Sequence, residues 1–303
     1  MIIGASRRTD IPAFHSGWFM DRLRAGHALV RNPGYGGTVF RVPLSPADVD
    51  AIVFMTKDPR PMEAHLAELE SMGHEAMFQV TVTGYGGPIE PNVPPAWKVV
   101  RSMAKLSDAL GPERLVWRYD PVLFGGARDA AWHIANFDRL SKALEGVAGW
   151  CVIGFFEPHL KLSGAMASGL LKEARPEEKA AVATPFKGMA ESRGMRIRSC
   201  CTGDALAPYG ILDGGCVGGD MLSSIGIPWE KPSAPNRKGC LCVKTVDIGT
   251  YDTCPHRCVY CYANSKGGRG ESRPGEEMLA DALGPTDVVV EVGGRPTRLR
   301  DFR

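Results

Sequence analysis

Short apolar runs alternate with longer stretches of helical period along the first two thirds of the chain. The runs at residues 2–5, 51–56, 77–83, 115–119, 151–155 and 196–199 are rich in β-branched residues and predict strands. Between them, residues 61–72, 97–110 and 130–144 place apolar side chains three and four apart, the period of a helix with one buried face. Strands alternating with helices predict parallel β/α units, because parallel neighbours need a long crossover between them. The expected fold is α/β, a complete or partial (β/α) TIM-like barrel. Two further extended pieces, 28–31 and 38–42, flank Pro33-Gly34-Tyr35-Gly36-Gly37 and predict a hairpin-like insertion. No long linker, low-complexity tract or fixed-period repeat breaks the pattern. Residues 1–199 therefore read as the barrel body, 200–265 as a cysteine-rich region completing the same domain, and 266–303 as a C-terminal tail.

Polar residues gather just after the predicted strands. Arg7 and Asp10 follow the first, Lys57 and Asp58 the second, Thr83 the third, Arg118 and Asp120 the fourth, and Glu157 the fifth. Ligands of parallel β/α folds bind at the carboxyl ends of the strands, and a buried unpaired charge is costly. Arg7, Asp10, Arg118 and Asp120 are therefore candidate catalytic residues facing a cavity. The structural alternative is that they are solvated loop caps and ion pairs.

Composition narrows the function classes. The 303 residues are 44% hydrophobic and 23% charged, with a formal net charge of +2, so the chain folds and carries no strong basic footprint. A small-molecule or peptide substrate is expected rather than nucleic acid. No apolar run approaches the roughly 20 residues of a membrane helix, and no signal peptide is visible, so a cytoplasmic protein without a membrane partner is expected. The nine cysteines are unevenly spread: eight lie between Cys200 and Cys261, and the ninth is Cys151. In a reducing compartment such a cluster points to metal rather than disulfides.

The sharpest motif is Cys254-Pro255-His256-Arg257-Cys258-Val259-Tyr260-Cys261. Three thiolates at this spacing can each ligate one iron of a [4Fe–4S] cube and leave the fourth iron open. S-adenosylmethionine can fill that position through its amino and carboxylate groups and support radical chemistry, yielding a 5′-deoxyadenosyl radical. A zinc ribbon prefers paired CxxC knuckles, and ferredoxin spacings supply a fourth cysteine. The remaining cysteines, Cys200, Cys201, Cys216, Cys240 and Cys242, allow a closed Cys₄ site with one of the adjacent pair to spare. It would hold either an auxiliary [4Fe–4S] cluster or structural zinc. Cys151 opens an apolar strand and reads as a core residue, His256 as a loop side chain beside the cluster, and His15 as either cavity-facing or packed. The tail either caps the barrel or extends from it.

The CxxxCxxC spacing with Tyr260 before the last cysteine resembles the radical S-adenosylmethionine superfamily, and the CVYCYAN ending resembles its spore-photoproduct-lyase branch. The resemblance implies that Tyr260 lies against the cofactor's adenine and that a flavodoxin or ferredoxin supplies electrons. It also implies a strand just before the loop, for which residues 243–248 qualify. That superfamily's motif follows the first barrel strand, whereas here it lies near the C-terminus, so a circularly permuted barrel is expected. Residues 86–90 (GGPIE) are only a loose echo of its Gly-Gly-Glu segment and read as a turn. More widely, IIGASRRTDIPAF, VWRYDP and DIGTYDTCPHRCVYCYAN resemble an uncharacterised bacterial family, a domain of unknown function. That resemblance favours Cys201, Cys216, Cys240 and Cys242 as the second ligand set. The alternative to a radical enzyme is a non-radical protein with structural zinc or electron-transfer clusters.

Overall fold

All six predicted runs become strands of one parallel sheet in the computed structural model, which describes residues 1–232, 237–264, 270, 272–273, 275–292 and 296–298. The strands are β1 Ile2–Ala5, β2 His27–Arg31, β3 Thr38–Pro43, β4 Ala51–Thr56, β5 Ala76–Thr81, β6 Leu115–Val122, β7 Trp150–Phe155, β8 Arg196–Ser199, β9 Val246–Asp247, β10 Val288–Glu291 and β11 Pro296–Arg298. The helices are α1 Ile11–Phe14, α2 Ser16–Ala25, α3 Arg60–Glu63, α4 Leu66–Ser71, α5 Ala96–Leu110, α6 Ala130–Ala143, α7 Ser163–Ala167, α8 Pro176–Ser192 and α9 Gly219–Ser224. The main sheet has seven strands in the order β8-β7-β6-β5-β4-β1-β9, with every neighbouring pair parallel. The strand latest in the chain, β9, thus lies beside the earliest.

The sheet does not close, so of the complete or partial barrel expected from the β/α alternation the complete one is corrected to an open α/β sheet. The reason lies in what covers each face. Odd and even residues of a strand point to opposite sides. On one side Phe54, Phe78, Trp117 and Tyr119 pack against Phe19 of α2, Met103 of α5, Phe137 of α6 and Phe186 of α8. The Phe137 and Phe186 rings stack with centroids 4.1 Å apart and join α6 to α8. On the other side Val53, Met77, Val116 and Val152 pack against Cys200, Cys216, Val217, Leu222 and Cys242. In a closed barrel this inner face would be filled by side chains of the strands themselves. Here the cysteine-rich segment between β8 and β9 buries it instead, and the two edge strands stay apart.

Helix α8 lies outside the three stretches that periodicity picks out. Pro185 interrupts its pattern, and its start is set by Pro176 at the first helical position and by Glu178, which accepts from the Arg175 backbone N–H at 2.9 Å. The predicted hairpin forms: β2 and β3 pair antiparallel, and the tail adds β10 and β11 to give a second sheet, β11-β10-β3-β2. Arg31 of β2 holds this tail through Asp281 at 2.7 Å and Asp287 at 2.8 Å. Tail residues 265–269 and 299–303 lie outside the described residues. No helix among the described residues is long and apolar enough to cross a membrane. Cys151 is fully buried in the helix-side core, as its place in an apolar strand predicts.

Candidate metal centre

The loop that carries Cys254, Cys258 and Cys261 leaves the sheet at β9. Asp247, the last residue of that strand, accepts from Ser6 Oγ at 2.9 Å, from the Arg7 N–H at 2.7 Å and from the Gly249 N–H at 3.0 Å. One carboxylate therefore ties the exits of β9 and β1 together. The loop closes on itself where Asn264 Nδ2 donates to the Cys254 carbonyl at 3.0 Å and the Asp252 N–H to the Ala263 carbonyl at 3.0 Å. The Ala263 N–H points at Cys261 Sγ, 3.4 Å away, an amide–sulfur contact that suits a ligating thiolate.

Burial, then the charge of Asp10 and the neighbouring thiols Cys258 and Cys261, push the Cys254 thiol above its ordinary range. Cys258 is pushed up to about 12, chiefly by burial and then by Glu90 and Cys261, against the opposing pull of Lys57 and Tyr260. Such thiols stay protonated alone and give up their protons to a thiophilic cation.

Beside the loop lies a buried polar group that the sequence pattern did not single out. Glu90, 3% exposed, accepts from Lys57 Nζ at 2.7 Å, from Thr83 Oγ1 at 2.8 Å and from the Tyr260 hydroxyl. Lys57 also lies 5.5 Å from the centre of the Tyr260 ring. Burial works against the Glu90 charge, but Lys57, Tyr260 and Thr83 overcome it and hold the carboxyl below its ordinary value. Burial likewise opposes the Lys57 charge, and Glu90, Cys258 and Asp120 outweigh it. The residue read as part of a plain turn, Glu90, is thus the acid that touches Tyr260. Its signal was the glycine pair upstream. A cavity of about 380 Å³ reaches the same carboxylate from the side of α5, between Thr83, Trp97 and Arg139.

Of the four candidate catalytic residues, Asp10 is fully engaged. It caps α1 by accepting from the Ala13 N–H at 3.1 Å, and its second oxygen meets the Lys57 N–H at 2.7 Å and His256 Nε2 at 3.0 Å. His256 is therefore a loop side chain anchored to β1's exit, and His15 is buried with Nε2 3.1 Å from the Thr253 carbonyl. Arg7 donates to Thr245 Oγ1 at 2.8 Å and lies 3.6 Å from Asp247, leaving its Nη1 buried with no hydrogen-bond partner among the described residues. Arg118 and Asp120, both on the inner face of β6, form an ion pair, and Arg118 Nε is buried with no hydrogen-bond partner among the described residues. Asp120 fits because residue 154 is glycine: a Cβ there would lie 2.6 Å from Asp120 Oδ1.

The second thiol set sits on the same inner face. Cys216 and Cys242 have their sulfurs 3.4 Å apart, Cys200 and Cys201 3.9 Å apart, and all nine cysteines are free of disulfides. The neighbouring Cys200, Cys216 and Cys240 thiols, and then burial, push the Cys242 thiol far above its ordinary value. The Val217 N–H lies 3.5 Å from Cys242 Sγ. The Arg118 charge is sustained against burial by Asp120 and then by the Cys216 and Cys200 thiols, and Arg237 by Cys201, Glu157 and Cys200. Among the described residues no group of three or more His, Cys, Asp or Glu is arranged to hold a single metal ion. The donor chemistry nonetheless fits an iron–sulfur group at the loop: three thiols on one loop, an amide on sulfur, and unpaired guanidinium N–H groups nearby for an anionic ligand.

No curated protein matches the chain. A family model described as Domain of unknown function (DUF1848) matches residues 2–263, from β1 to the end of the cysteine loop. That match covers most of the chain, which therefore belongs to the DUF1848 family.

Proposed function

We propose that the protein is an iron–sulfur enzyme of the radical S-adenosylmethionine type, with a site-differentiated [4Fe–4S] cluster held by Cys254, Cys258 and Cys261 and a second thiolate site alongside. The observation that carries the reading is the position of the cysteine loop: it leaves β9, which comes late in the chain yet pairs with β1, and so rises over the carboxyl ends of the parallel strands. This order supports a partial barrel permuted relative to the superfamily, with β9 in the place of its first strand.

When bound, the cluster and S-adenosylmethionine supply single-electron cleavage of a sulfonium and hydrogen abstraction from the substrate. The chain's own residues position the reactants. Glu90, held ionised by Lys57, fixes the Tyr260 ring beside Cys258, where it supports an adenine face. Arg7 Nη1 and Arg118 Nε offer free donors to an anionic group of a small-molecule or peptide substrate, and Asp120 orients Arg118 or takes a proton. Asp10 acts as a positioning residue through His256 and Lys57. The proposed electron donor is a flavodoxin or ferredoxin, and the proposed setting is the reducing cytoplasm that such clusters and free thiols need.

The test is purification without oxygen, followed by absorbance, total iron and acid-labile sulfide. Incubation with dithionite and S-adenosylmethionine then releases 5′-deoxyadenosine. A colourless protein carrying zinc alone would overturn the reading. An intact cluster with no release above background would leave an electron-transfer protein. For the second thiol set zinc is the rival occupant, since a closed set of four thiolates is the donor chemistry structural zinc prefers.

A further inference from the structure

The geometry points to a second ligand site beside α5: the cavity there takes a small aromatic acid bearing a hydroxyl or amino group, with its anionic end on Arg139 and its ring against Trp97. The site goes beyond the iron–sulfur reading and does not depend on it, since no cysteine is among the described residues that line the cavity.

Charge sets the class of ligand. Glu90 is the one carboxylate among the described lining residues, and Lys57 already neutralises it at 2.7 Å. The charge that remains is Arg139, an exposed residue of α6. Its Nη2 donates at 2.7 Å to Asn136 Oδ1, a neutral acceptor, and among the described residues no carboxylate pairs with it. A guanidinium with donors left over at the edge of a cavity suits a carboxylate, whose two oxygens match its fork. Lys98 places a further positive charge 5.4 Å from the centre of the Trp97 ring. Gly84 gives Arg139 its place. It has a φ of +68°, and a Cβ there would lie 2.9 Å from Arg139 Nη2 and 3.0 Å from Asn136 Oδ1.

Shape and polarity set the rest. The cavity of about 380 Å³ is of the size that small-molecule sites have. Pro94 and Pro95 make a stiff apolar wall next to Trp97, which is 64% exposed. An indole left this open at a cavity offers a flat face on which a ring can stack. Among the described residues Glu90 Oε2 accepts only from Thr83 Oγ1, at 2.8 Å, and shares that hydrogen with Oε1. It can therefore accept one more donor, a hydroxyl or amino group on the ring. The same carboxylate accepts from the Tyr260 hydroxyl, so an occupant of the cavity touches the group that holds the cysteine loop.

The test is saturation-transfer NMR on the full chain with 4-hydroxybenzoate, benzoate and benzamide, the last a neutral isostere of benzoate. 4-Hydroxybenzoate is expected to bind with a Kd of ~1 mM, in keeping with its size, and benzoate ~3-fold more weakly. Benzamide should bind ~10-fold more weakly than benzoate, because it lacks the charge that Arg139 meets. Arg139→Met should weaken both acids ~10-fold and leave benzamide unchanged, and Trp97→Ala should weaken all three. Both side chains are exposed, and should either variant fail to fold, benzoate against benzamide on the wild type decides. No binding of either acid at ~20 mM, benzamide as tight as benzoate, or acids indifferent to both substitutions would overturn the site. Benzoate as tight as 4-hydroxybenzoate would overturn the part given to Glu90. None of these measurements needs iron or S-adenosylmethionine, so the site and the iron–sulfur reading fail separately.

Discussion

Lys57 donates to Glu90 Oε1 at 2.7 Å, and the two side chains are 14% and 2% exposed. A charge pair this buried is unstable when halved, because the remaining charge has lost both water and partner. Lys57→Met is expected to cost about 3 kcal/mol by urea unfolding, and Lys57→Met with Glu90→Leu to recover part of it. A double variant no more stable than the single would show that the pair is not coupled.

The same carboxylate makes a prediction in acid. Glu90 has a lowered folded pKa, so its contribution is complete above the unfolded value of about 4.3 and is lost as pH falls through the lower folded value. The stability gap between wild type and Glu90→Gln should be constant from neutral pH down to about 5 and shrink below about 4. A gap that widens in acid would contradict the assignment of an ionised Glu90.

His133 titrates elsewhere. It is fully buried, accepts from the Tyr119 hydroxyl at 2.9 Å through Nδ1 and donates to the Leu123 carbonyl at 3.2 Å through Nε2. Burial first lowers its pKa, to about 4, so the unfolded chain binds a proton there before the native one. Stability attributable to it is present above about 6.5 and declines as pH falls from there to about 4, by a few kcal/mol at most. His133→Gln should flatten that limb in a series of urea unfolding curves between pH 4 and 7.

The two thiol sets predict a partition of metal. Cys258→Ala should remove the iron of the loop site and leave the other complement in place. Loss of both would mean that the two sets form one site. Cys151→Ala, in the helix-side core, should leave the metal content unchanged and lower stability by about 1 kcal/mol.

Gly154→Ala tests the inner face of the sheet directly. The added methyl would meet Asp120 Oδ1 at 2.6 Å, and backbone on a central strand cannot yield far. A loss of about 2 kcal/mol is expected from denaturation curves, with Asp120 displaced from Arg118.

The strands were legible because each is a short apolar run bounded by polar residues. Ile2–Ala5 and Ala51–Thr56 match their predicted limits, since burial on both faces leaves hardly a polar position inside the run to blur them; Arg196–Ser199 also matches, although this edge strand carries two arginines. Val246–Asp247 is far shorter than the predicted 243–248, because an edge strand is paired on one side only and Asp247 turns its carboxylate to the β1 exit. The cysteine spacing was likewise local information, since three thiols on one loop need no fold to bring them together.

What no local pattern contained was which distant residues share a face. Arg7 and Asp10 follow β1 and Arg118 and Asp120 lie within β6, yet Asp10 proves to be a cap and a tether for His256, while Glu90, Lys57 and Asp247 hold the groups around the loop. The openness of the sheet depends on the segment between β8 and β9 folding back over the inner face. Sequence by itself determined the parallel β/α alternation and the cysteine motif, because residue type and near-neighbour spacing encode them. Only the tertiary structure decided the open sheet, the place of β9 beside β1 and the partners of each charge, because those follow from burial between residues far apart in the chain.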